Sequence, residues 1–119
     1  MKTPVFYIGR ELSGKTRQWL HKQQIQYSEH PFQKIDLFVS RAFDAYLFFS
    51  PSEIDVFKAS GNFPYPNSLV FAKENSTARQ AWKHFTNTVH TSPDSEEFPF
   101  VQYSVFRWMK EKNLVIDFS

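Results

Sequence analysis

The chain has 119 residues, of which 14 are Lys or Arg and 12 are Asp or Glu, giving a formal charge of +2. That is enough for one domain with its own core, and the scattered charges do not form the basic stripe of a nucleic-acid binder. The absence of cysteine excludes disulfides and thiolate metal sites. No charged leader precedes an apolar run and no stretch approaches membrane-spanning length, so a cytoplasmic protein without membrane contact is expected.

Val5-Phe6-Tyr7-Ile8 reads as a first strand ended by Gly9, and residues 13–24 as a helix with Trp19 and Leu20 on a thin apolar face. Residues 25–32 alternate loosely, as a short edge strand does, and Ile35, Leu37 and Val39 alternate in a segment that reads equally well as loop. The next stretch is the most informative. Ala45-Tyr46-Leu47-Phe48-Phe49 is short, apolar and unbroken, the pattern of a strand buried on both faces. It runs into Ser50-Pro51-Ser52-Glu53, where Ser50 is placed to cap a helix over residues 51–59. Pro51 suits its first position, and Glu53 completes a Ser-x-x-Glu capping box. After a Gly/Pro/Asn loop, Ser68-Leu69-Val70-Phe71-Ala72 is another buried strand. Asn75 or Ser76 is expected to cap a third helix with Ala78, Trp82 and Phe85 inward. Thr88-Val89-His90-Thr91 is a last short strand, Ser92-Pro93-Asp94 a turn, and residues 100–112 a final helix with Val101, Val105, Trp108 and Met109 on one side. The tail Leu114-Val115-Ile116-Asp117-Phe118 suggests an extra C-terminal strand.

Alternating strands and helices imply a single α/β domain of three layers, α/β/α, around a parallel five-stranded sheet in the flavodoxin-like order 2-1-3-4-5. Three turns then repeat one device. Phe49-Ser50-Pro51-Ser52, Asn75-Ser76-Thr77-Ala78 and Thr91-Ser92-Pro93-Asp94 each leave a strand and open a helix. A parallel sheet places all three along one edge, where backbone N–H groups and hydroxyls can converge on carboxylates or phosphates.

The run Phe48-Phe49-Ser50-Pro51-Ser52, followed by Ser76-Thr77-Ala78 and by Ser92-Pro93-Asp94-Ser95-Glu96, resembles the uroporphyrinogen-III synthase family. That family shows a strand into Thr/Phe-Ser-Pro/Ala-Ser, a Gly-x-Thr-Thr-Ala turn and a Pro-containing segment near its end. The resemblance implies a cofactor-free enzyme of haem (tetrapyrrole) biosynthesis, a water-eliminating lyase that closes hydroxymethylbilane into a macrocycle while inverting its last ring. The partner it implies is a small-molecule polycarboxylate, the linear tetrapyrrole. The matched binding positions are Ser50, Pro51, Ser52, Ser76, Thr77, Ala78 and Ser92, with Gly9 and Arg10 on the same edge. Three departures stand beside the match. The family's glycine is replaced within Lys73-Glu74-Asn75-Ser76-Thr77-Ala78. Phe32 stands where a family tyrosine is a proposed proton donor. Family members also carry a second α/β domain across a cleft, so a homodimer or a partner domain is expected to complete it.

A second motif competes. Gly9-Arg10-Glu11-Leu12-Ser13-Gly14-Lys15-Thr16 matches the phosphate-binding G-x-x-x-x-G-K-[ST] in full, after a strand and before a helix. It makes Gly9, Gly14, Lys15 and Thr16 alternative phosphate-binding residues. No mid-chain strand ends in the Asp that would hold Mg²⁺; the only such run is Val115-Ile116-Asp117. A non-enzymatic interaction domain is the remaining reading. His21, His30, His84 and His90 lack metal spacing, with His84 and His90 expected at the surface. Asp36, Asp44 and Asp55 have nothing to fix a pair, and Asp44 suits the entrance to the central strand. Residues 63–66 read as plain loop, and Trp19, Trp82 and Trp108 fall on expected inner helix faces.

Overall fold

A computed structural model of the protein describes residues 4–31, 43–92 and 96–112. The elements alternate as β1 (Val5–Ile8), α1 (Gly14–Lys22), β2 (Gln26–Glu29), β3 (Ala45–Phe48), α2 (Pro51–Ala59), β4 (Leu69–Lys73), α3 (Glu74–His84), β5 (Val89–Ser92) and α4 (Glu97–Glu111). All strand pairs are parallel, in the order β2-β1-β3-β4-β5. This is the three-layer flavodoxin-like arrangement that the alternation implies.

Parallel strands have both faces covered, and the pleat divides their side chains between two cores. Phe6, Ile8, Ala45, Leu47 and Phe71 pack with Leu20 of α1 and Phe100, Val101, Val105 and Trp108 of α4. Val5, Tyr7, Tyr46, Phe48 and Val70 turn the other way, onto Ile54 and Phe57 of α2, Ala81 of α3 and Phe85. The second core is largely aromatic. Tyr7 contacts the rings of Phe43, Tyr46, Phe48 and Phe57, and stacks on His30 with centroids 4.4 Å apart. Asp44 does stand at the strand entrance, where its carboxylate accepts the Val5 N–H at 2.7 Å.

Helix ends account for most departures from the sequence expectations. Ser13 caps α1, its hydroxyl accepting the Thr16 N–H. Gly61, at φ 81, closes α2 by donating its N–H to Lys58 O, a left-handed terminus that glycine accepts without strain. Helix α3 begins at Glu74, directly after β4, so Asn75 and Ser76 lie inside its first turn and Lys73 is the N-cap. That phase buries Thr77, Ala78 and Ala81 and turns Trp82 outward, where it is 58% exposed. The two alanines let α3 sit close to the sheet, and the indole, one residue off their stripe, is left in solvent. Trp108 is core as expected, and Trp19 is half-buried against Phe98 and Phe106. Helix α4 begins three residues early, because Pro99 falls in its first turn, where no intrahelical N–H is needed.

His90, expected at the surface, is half-buried. Its register partner is Phe71, so both rings leave the sheet on one face and stack at 5.5 Å. Its Nε2 is buried without a hydrogen bond, and burial together with the nearby Arg107 charge pushes its pKa down. Residues Phe32, Ile35, Asp36, Leu37, Val39, Pro93 and Asp94, and the 114–118 tail, lie outside the described residues. Among those described, no helix is long and apolar enough to cross a membrane.

The aromatic core sets a simple contrast. Phe48 is fully buried between Tyr7, Phe57 and Phe85, so Phe48→Ala is expected to cost about 3–5 kcal/mol. Trp82→Ala should change stability by less than about 0.5 kcal/mol. Urea denaturation of both variants checks the pair.

Candidate anion site at the carboxyl edge

Parallel pairing puts the ends of β1, β3, β4 and β5 and the starts of α1, α2, α3 and α4 on one edge. The order reverses between β1 and β3, and at such a point an α/β sheet opens a crevice. Here a side chain of the protein itself fills it. Glu53, 5% exposed, turns back from the first turn of α2. Its Oε1 accepts the Phe49 N–H at 2.9 Å. Its Oε2 accepts the Arg10 guanidinium at 2.9 and 3.2 Å and the Ser50 hydroxyl at 3.2 Å. Burial raises the Glu53 pKa, and these donors pull it back.

This corrects the expected capping box. Ser50 is the N-cap by backbone geometry, but its hydroxyl donates to Glu53 and caps no amide. Glu53 reaches the N–H of Phe49, one residue before the cap. The guanidinium of Arg10, which also lies 4.4 Å from the Phe49 ring centroid, draws the carboxylate there. Gly9 has a steric role, since a methyl on its Cα would overlap the Glu53 carboxylate.

A second internal carboxylate occupies the start of α1. Glu97, from the first turn of α4, accepts the Ser13 N–H at 3.1 Å, the Ser13 hydroxyl at 2.8 Å and the Thr16 hydroxyl at 2.7 Å. Burial alone would raise its pKa; hydrogen bonds from Thr16 and Ser13, with the Arg10 charge, outweigh it and hold the carboxyl below its usual range. A third, Glu29, accepts the Leu12 N–H at 3.0 Å and two bonds from Arg17, which raise the Arg17 pKa above its ordinary value. Of the phosphate-motif residues, Thr16 is therefore buried on Glu97 and Gly9 packs on Glu53. Lys15 places its ammonium 4.6 Å from the Phe98 ring centroid. Gly14 is exposed, with open space at its Cα. Carboxylates of the chain itself take the Leu12 and Ser13 amides and the Thr16 hydroxyl, three of the donors that a phosphate would use.

The α3 turn, like the starts of α2 and α4, has no side-chain cap, and its first N–H groups face the edge as a partial positive charge. Ser76 is exposed, and the buried Thr77 hydroxyl has no hydrogen-bond partner. Ahead of them Glu74 holds a left-handed backbone, φ 70, which is strained for a residue with a Cβ. Ala78 lies beneath the helix and serves packing. Ser92 is buried at the end of β5, while Ser52 is exposed and Pro51 half-buried at the start of α2. The structure thus gathers Gly9, Arg10 and Ser50 around Glu53, gathers Ser13 and Thr16 around Glu97, and puts Ser76 and Thr77 in a separate turn.

Sequence reasoning missed the role of all three glutamates. The Ser-x-x-Glu pattern marked Glu53 but implied a different partner. Glu97 meets Ser13 across 84 residues, beyond any local signal. Among the described residues no cluster of His, Asp or Glu could hold a metal ion. No protein-family model matches the chain, and no curated protein shows significant similarity to it.

Two outcomes follow from the geometry. Arg10→Met leaves the Glu53 carboxylate buried without its cation, and is expected to cost about 1–3 kcal/mol at neutral pH. The carboxyl pKa then rises further above its unfolded value, so the ionised form is what the fold disfavours. The cost should shrink as pH falls from neutral into the acid range and the carboxyl takes up a proton. Thermal melts of both proteins across that range check the sign. Glu74→Gly relieves the left-handed strain and should stabilise the protein by about 0.5–1 kcal/mol in chemical denaturation.

Proposed function

We propose that the chain is a uroporphyrinogen-III synthase-like α/β domain that binds a linear tetrapyrrole polycarboxylate at the carboxyl edge of its sheet. The observation that carries this reading is the backbone of Glu74. In the resembling turn, Gly-x-Thr-Thr-Ala, glycine stands at the position of Glu74, and Glu74 has φ 70, a conformation that glycine adopts freely. The turn keeps a glycine geometry although the glycine itself is absent. After it come an exposed Ser76, the unpartnered Thr77 hydroxyl and an uncapped helix start, groups suited to a carboxylate.

In this reading the α3 turn takes one acidic side chain of the ligand, and the exposed Ser52 beside it in the sheet order offers another contact. Glu53, held by Arg10, keeps the β1–β3 crevice closed and leaves the ligand on the β3–β5 half of the edge. The far wall of the cleft comes from a second α/β unit, supplied by a second copy or by a partner domain. Cyclisation with ring inversion and loss of water is then the reaction of the completed cleft, without a cofactor.

The test is to add freshly made hydroxymethylbilane and analyse the porphyrin isomers after oxidation. Type III product above the protein-free control is expected; type I alone, which forms spontaneously, overturns the catalytic reading. Binding is measured separately by titrating uroporphyrin against tryptophan fluorescence. Ser76→Glu adds an acid to a helix start, where it does not disturb folding, and should weaken binding about fivefold or more by repelling the ligand. Unchanged affinity overturns the α3 site.

A further inference from the structure

The opposite end of the sheet carries a different feature. Among the described residues β2 is an end strand, paired with β1 alone. The amides of Gln26 and His30 point inward, bonding Pro4 O at 3.1 Å and Ile8 O at 2.8 Å. Alternation along a strand therefore turns the N–H and C=O groups of Tyr27 and Glu29 toward the open edge. β2 has neither the proline nor the lysine that commonly blunts an edge strand.

On the α1 side this edge borders a groove of about 500 Å³ lined by Arg17, Gln18, His21, Lys22 and Tyr27. The four α1 residues lie on one outward face, and the Tyr27 ring forms the floor, packed against the core. Arg17 is compensated by Glu29, at 2.8 Å, and more loosely by Glu11, at 3.5 Å. Lys22 and His21, in the last turn of α1, add basic groups to a lining that contains no acid.

We propose that this edge docks an extended acidic segment of a partner protein, which adds a strand to β2 and turns alternate carboxylates toward Lys22 and His21. The backbone groups of Tyr27 and Glu29 supply the ladder, and the basic face of α1 supplies the preference for acidic side chains. This surface is independent of the tetrapyrrole reading, since it lies on the far side of α1 from the α3 turn.

The test uses the whole chain and two fluorescent peptides, one alternating valine with glutamate and one alternating valine with lysine. Anisotropy should show the acidic peptide binding about tenfold tighter, as expected of a few exposed ion pairs. Hydrogen exchange should show the Tyr27 and Glu29 amides open in the free chain and protected in the complex. His21→Glu combined with Lys22→Glu should invert the preference; if that pair lowers the melting temperature, Lys22→Gln should lose part of the preference on an intact fold. Equal affinities, amides already protected in the free chain, binding that leaves them unprotected, or protection that grows with protein concentration alone would each overturn the proposal.

Discussion

The buried carboxylate of Glu53 is the constraint on which the carboxyl edge depends. Its charge costs free energy to desolvate, and the chain answers with an amide, a guanidinium and a hydroxyl from three different places: the end of β3, the end of β1 and the cap of α2. One side chain thereby ties the two strands at the reversal of sheet order to the helix that leaves it. Gly9 follows from the same constraint, because any larger residue would claim the volume of the carboxylate. So does the position of Arg10, half in solvent and half across the Phe49 ring.

Glu97 repeats the device on the other face of the sheet. Helices α1 and α4 pack side by side, and the acid in the first turn of one satisfies the open amide and hydroxyls in the first turn of the other. A helix start is a partial positive charge with unpaired donors, and it accepts a carboxylate from within the chain as readily as one from a ligand. The starts of α1 and α2 are neutralised internally in this way. The start of α3 has Glu74 in its first turn, but in a left-handed backbone and with no side-chain cap. Glu53 closes the β1–β3 crevice, and the proposed ligand contact therefore falls to the β4–α3 turn, where Ser76 is exposed and the Thr77 hydroxyl has no hydrogen-bond partner.

The same electrostatic view separates the two motifs in the sequence. The phosphate-loop match has the right residues between a strand and a helix, yet its Thr16 hydroxyl and the amides of Leu12 and Ser13 serve Glu97 and Glu29. The turn that opens α3 has Glu74 where its backbone, at φ 70, favours glycine. Residue identity and local geometry therefore diverge in opposite directions at the two places.

The three layers and the parallel sheet were legible in the sequence, because unbroken apolar runs such as 45–49 suit strands covered on both faces and alternation with helices favours parallel pairing. Periodicity also found the core face of α4, with Val101, Val105 and Trp108 buried. At α3 it placed Ala78 and Phe85 inward, as they are, but also Trp82, whose place against the sheet is taken by the small Ala81; His90, expected at the surface, is half-buried against Phe71 across the ladder. Gly9, Arg10, Ser50, Ser76 and Thr77 were legible as residues of one edge, since strand ends and helix starts share an edge in any parallel sheet. What each of them holds was decided by tertiary structure alone. The carboxylates of Glu53, Glu29 and Glu97 arrive from other elements, one of them 84 residues away, and a hydrogen bond across that separation leaves no periodic trace in the chain that makes it.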